Sequence, residues 1–145
     1  MFEGTIEQLV ALATLMPIVA SIGGNTGNQT IALVVRGLAL DQITKDNVRY
    51  LAVKELGVAA INGVLWGTVM GLVAWGLYQN ETLGFVMGIA TLLNLLVAAA
   101  VGIGVPLGMR RAGRDPALGS SVILTFVTDG MGFFIFLSLA TLLLI

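Results

Sequence analysis

The sequence predicts an all-α fold, a polytopic membrane helix bundle with four transmembrane helices. Three observations predict it. The chain of 145 residues is 57% hydrophobic and only 10% charged, where a soluble domain carries about a quarter charged residues. Four runs, Gln8–Val35, Leu56–Asn80, Thr82–Met109 and Ala117–Ile145, hold a single charge between them, Asp129. Each exceeds the roughly 20 residues needed to cross the hydrocarbon. Finally, all 7 basic residues fall in or beside two of the connections.

The first span, residues 8–36, contains Pro17 and the heptad GGNTGNQ at Gly23–Gln29. Irregular backbone at membrane depth survives only where it is buried in protein or lines a wet cavity. The heptad therefore predicts a helix that is broken or irregular near Gly23–Gln29, and Pro17 frees one more carbonyl a turn earlier. The connection Asp41–Asn47 (DQITKDN) is polar and long enough for a short amphipathic surface helix.

The second span, 56–78, places Gly63, Gly67 and Gly71 on one face; Gly104 and Gly108 repeat that spacing in the third, 83–109. Small residues so spaced let membrane helices approach closely, within one bundle or, as the less favoured alternative, across a dimer seam. The short Tyr78–Thr82 turn makes spans two and three antiparallel neighbours. Arg114–Asp115–Pro116 forms the other turn, with Pro116 expected in the first turn of the last helix, span 117–143. The whole chain, 1–145, reads as one transmembrane domain.

Charge placement sets the expected orientation. Arg36, Lys45, Arg49 and Lys54 sit around the first connection, and Arg110, Arg111 and Arg114 around the third. The positive-inside rule puts these loops in the cytoplasm and both termini of this chain outside, in a multi-pass protein of the cell (inner) membrane. Cys and His are both absent. That excludes disulfides, thiolate and imidazole chemistry, and the soft-ligand sites of zinc and copper. With one deep carboxylate there is no acid–base pair, so no enzyme is expected. No nucleic-acid partner is expected either.

Asp129 is the one ionisable residue far from a membrane edge. Counted from Pro116 it lies about 20 Å deep, and a carboxylate there marks a function by default. Ser121, Thr125 and Asp129 share one stripe at i, i+4, i+8. Counted from Arg36, Gly23–Gln29 lies roughly 10–20 Å deep, so heptad and carboxylate are expected to meet at one level. Amide oxygens of Asn25 and Asn28, backbone carbonyls at Gly23, Gly24 and Gly27, and one charge would converge there. Hard, mostly neutral oxygens suit a Mg2+ ion that keeps most of its water. The isolated Asn62 and Asn94 read instead as hydrogen-bonding groups between helices. Two other readings stay open: transport coupled to H+ or Na+ with Asp129 titrating, and a non-transporting membrane scaffold.

Three segments together resemble the MgtE family of magnesium channels and transporters. They are PIVASIGGNTGNQTIALVVRGLA (Pro17–Ala39), KELGVAAINGVLWG (Lys54–Gly67) and RDPALGSSVILTFVTDGMGFFIFL (Arg114–Leu137). The resemblance implies a homodimer with its pore between subunits and a hydrated Mg2+ held near Asp129. It further implies a backbone carbonyl from Thr125, Ser121 where many members have Asn, Asn28 facing the pore, and backbone oxygen from Gly24. The transported ion would be Mg2+, with Mn2+ or Co2+ as surrogates. The chain has Val122 where members commonly have Pro. Only the last four of the family's five transmembrane helices are recognisable, without its cytosolic regulatory domains. The resemblance therefore implies a fragment or a minimal relative.

Overall fold

In lipid each backbone polar group must find its partner within the segment, so long uncharged apolar runs are held as helices. The computed structural model describes residues 3–44, 46–117 and 119–143, with side chains from residue 10 onward except residue 12. Lys45, one of the basic residues of the first connection, lies outside the described residues. The elements are α1 (Glu3–Ala39), α2 (Val48–Tyr78), α3 (Glu81–Arg111) and α4 (Ser120–Leu143), with no strand among the described residues. Of these, α2, α3 and α4 are each long and apolar enough to cross a membrane.

The third helix is the hub. It packs against the other three, α1 also packs along α4, and α1 barely touches α2. The buried positions follow this arrangement. Along α3 they include Leu83, Val86, Met87, Ala90, Thr91, Asn94, Leu95, Ala98 and Ile103. One cluster joins Leu83, Val86, Met87 and Ala90 to Leu15 and Val19 of α1, Ala74 of α2 and Phe136 of α4, and a second joins Ile103 to Val34 and Leu38 of α1. By contrast α2 leaves Ile61, Val64, Leu65 and Leu72 exposed on its outer face, as a lipid-facing helix should.

The heptad differs from its expectation. α1 runs as one helix of 37 residues through both Pro17 and Gly23–Gln29. Its glycines serve close packing rather than a break. A Cβ on Gly27 would come 2.6 Å from Leu124 Cδ1, and one on Gly23 would collide with the Asn94 amide. The backbone carbonyls expected to be free there belong to a regular helix, where each already accepts an N–H four residues on.

The connections also depart from expectation in part. Between α1 and α2 the described residues form turns, not a surface helix. Asp41 takes a left-handed conformation at φ 55°. The Asn47 amide then closes the loop, accepting from Thr44 N–H and donating to the Gln42 carbonyl, both at 2.7 Å. Between α3 and α4, Pro116 precedes the helix instead of opening it. Asp115 Oδ1 accepts from Ala117 N–H at 3.0 Å, Gly119 sits at φ 92°, and α4 starts at Ser120. The α2–α3 turn is as tight as expected. Gln79 is left-handed, and Asn80 caps α3 by accepting from Leu83 N–H at 3.1 Å.

The glycine faces divide. Gly67 and Gly71 meet the backbone of Gly88 and Gly84, with built Cβ atoms 2.7 and 2.8 Å from those carbonyl oxygens. Gly63 instead packs against the Leu92 side chain, where a Cβ would collide with Cδ1. These serve packing within the bundle. Gly104 and Gly108 have nothing within 4 Å.

Candidate functional site

The site is built where α1 and α4 run antiparallel. Contacts between them form a ladder: Asn28 with Ser121, Gly27 with Leu124, Gly24 with Thr128, and Ala20 with Gly132. Ser121 Oγ donates to Asn28 Oδ1 at 2.7 Å, joining the two helices through side chains. Gly24 faces Thr128, where a Cβ would meet Oγ1 at an ordinary contact distance of 3.7 Å. Thr128 itself is fully buried and donates to the Leu124 carbonyl at 2.9 Å and, more weakly, to the Thr125 carbonyl at 3.3 Å.

Outward of this seam lies a polar stripe. Asn25 and Asn28 of α1 and Ser121, Thr125 and Asp129 of α4 are all exposed on the bundle surface, and Gly24 is half-buried between them. Thr125 Oγ1 donates to the Ser121 carbonyl at 2.9 Å, and its own carbonyl, within the regular helix, also takes a weak bond from Thr128 Oγ1 at 3.3 Å. The six expected residues therefore occupy one face, but not one level. Asp129 stands eight residues beyond Ser121, about 12 Å along the helix. The ladder puts Asp129 beside Thr128, at the level of Gly23 and Gly24, while Asn28 sits just over one turn away toward Arg36. No group of three or more Asp, Glu, His or Cys able to hold a metal occurs among the described residues. Any cation on this face would meet one carboxylate and neutral oxygens.

The register is held from behind by Asn94, which in the sequence reads only as a hydrogen-bonding group between helices. Asn94 of α3 is fully buried and its Nδ2 donates to the Val19 carbonyl at 3.0 Å. Gly23 and Gly132 close on it from α1 and α4, a Cβ on Gly132 reaching 3.0 Å from Nδ2. Its Oδ1 has no partner. The signal available in the sequence was a lone amide in an apolar span. Nothing local tells which glycines it will meet.

Residues 16–139 match the family model MgtE, a divalent cation transporter. The chain belongs to the MgtE family. It is 37% identical over 144 residues to the magnesium transporter MgtE of Thermus thermophilus, covering 99% of this chain and 32% of that protein. Against magnesium transporter MgtE of Bacillus subtilis it is 31% identical over 140 residues, covering 97% and 31%. Against that of Enterococcus faecalis it is 28% identical over 141 residues, covering 97% and 31%. The chain thus spans about a third of the length of the curated relatives it matches. The matched stretch is helical in this chain, with three helices long and apolar enough to cross a membrane, and the stripe on α1 and α4 lies inside it. This is a multi-pass membrane protein.

Proposed function

We propose that this chain is the pore-forming part of a Mg2+ transporter, and that its α1–α4 stripe handles the ion. One observation carries the reading. Asp129, together with Asn25, Asn28, Ser121 and Thr125, faces outward from the bundle among exposed Val122 and Phe126. A carboxylate aimed at lipid costs several kcal/mol, so this face requires either a second protein surface or water. A second copy across a two-fold axis supplies both: the stripes of two chains enclose an aqueous path with two carboxylates. The ion stays hydrated there, because one carboxylate per chain and neutral oxygens suit outer-shell contacts to Mg2+. Ser121 lines the path two turns from Asp129, and Asn28 just over one turn, toward the basic loops, which the positive-inside rule places in the cytoplasm.

The names of the relatives support Mg2+ as cargo; Mn2+ and Co2+ would act as surrogates. The activity is passage of an ion, with no bond made or broken. The test is growth of a Mg2+-uptake-deficient strain carrying the full protein with Asp129→Asn. Loss of rescue at normal expression is expected, and undiminished rescue would overturn the reading.

A further inference from the structure

Gln29 and Thr26 of the heptad do not face the α1–α4 stripe. With Thr30 they line a separate cavity of about 90 Å3 between α1 and α2, completed by Glu55, Val58, Ala59 and Asn62. The cavity exists because α1 and α2 diverge along most of their length. Its volume is room for several waters, since one water needs only about 10–15 Å3 of such space.

Three of the polar side chains around it have no protein partner among the described residues. Among the described residues, no side-chain hydrogen bond is made by Glu55, Gln29 or Asn62, and the single ion pair is Arg110 with Asp41. Thr30 Oγ1 reaches only the Thr26 carbonyl, at 3.3 Å. Glu55 and Asn62 are both half-buried. Seven residues separate them, so the cavity runs about 10 Å along α2, from the end near Lys54 toward the membrane interior. Glu55 stands at the membrane edge and Gln29 is exposed, whereas Asn62 lies within the span, where a polar side chain without a protein partner must be met by water or an ion.

We propose that this cavity is a second cation site, holding a hydrated divalent metal ion beside Glu55. The chemistry selects that class. A single carboxylate with two amide oxygens and two threonine hydroxyls is too sparse for calcium, which takes 6–8 direct oxygens. It suits an ion bound through one carboxylate with its waters donating to Gln29, Asn62 and Thr26. The site lies on the opposite side of α1 from Asn28, so one helix carries an ion-facing group on each flank. It stands on the cavity's own residues and does not depend on the reading of Asp129.

The test uses the full protein in lipid nanodiscs with 13C-methyl labels on alanine and valine, titrated with Mn2+ alone. Paramagnetic broadening of the Val58 and Ala59 methyls is expected in the wild type and in Asp129→Asn. In Glu55→Gln the Mn2+ concentration for half-broadening should rise about tenfold or more, the usual loss when a group supporting a metal is removed. Glu55→Asp should restore most of it. Val127, next to Thr128, reports the Asp129 side and should be unaffected by Glu55→Gln. Unbroadened Val58 and Ala59 methyls in the wild type, at Mn2+ levels that broaden Val127, would overturn the proposal whether or not the variants fold. So would broadening that Glu55→Gln leaves unchanged.

Discussion

Ser121 Oγ donates to Asn28 Oδ1 at 2.7 Å, the one side-chain-to-side-chain hydrogen bond between α1 and α4 among the described residues. It fixes the rotamer of an amide that would otherwise swing freely on an exposed face. Ser121→Ala should therefore weaken ion handling more than folding. A lost neutral hydrogen bond is worth about 1 kcal/mol, a factor of about five in affinity. Radiotracer or dye-based Mg2+ uptake into liposomes checks this, with Ser121→Asn expected to keep activity because its amide can also donate to Asn28. Equal uptake by the alanine variant would remove Ser121 from the site.

Asp129 supplies the only charge on the stripe. Asp129→Asn should abolish Mg2+ uptake while leaving the helical content unchanged, since the carboxylate makes no ion pair among the described residues. Circular dichroism beside the uptake assay separates the two effects. Unfolding of this variant would mean that Asp129 is structural.

Asn94 holds the α1–α4 register from the core. Asn94→Ala removes the bond to the Val19 carbonyl and leaves a cavity between Gly23 and Gly132. A cost of about 2–4 kcal/mol is expected, read as a lower denaturation midpoint in detergent. A second, independent change should follow in uptake, because Gly24 and Thr128 lose their fixed spacing. Unaltered thermal stability would show that the buried amide clamps nothing.

The two glycine faces should respond oppositely. Gly67→Ala places a Cβ 2.7 Å from the Gly88 carbonyl oxygen, and backbone must shift to admit it, at about 1–3 kcal/mol. Gly104→Ala meets open space and should be neutral or stabilising by up to about 1 kcal/mol through helix propensity. Thermal denaturation of both variants in one detergent provides the comparison. A large loss at Gly104 instead would show that this face is covered in the membrane.

Much of the architecture was determined by sequence alone, because lipid leaves the backbone little choice. Uncharged runs of spanning length must be helices, and the Gln79–Asn80 turn, being too short for anything else, makes α2 and α3 neighbours. The outward stripe of Ser121, Thr125 and Asp129 also followed from helical periodicity. Tertiary structure decided the rest. GGNTGNQ reads locally as a broken helix, yet Leu124 and Asn94 fill the notches its glycines leave, and packing keeps the helix continuous. Depth counted from Arg36 and Pro116 puts the start of the heptad level with Asp129, and the antiparallel register, with Gly24 against Thr128 and Ala20 against Gly132, has the same level. It leaves Asn28 just over one turn away, beside Ser121. Whether Gln29 faces the stripe or a second cavity depends on where α2 stands, and no local pattern encodes that. Periodicity is a property of one helix, whereas register and divergence are properties of pairs.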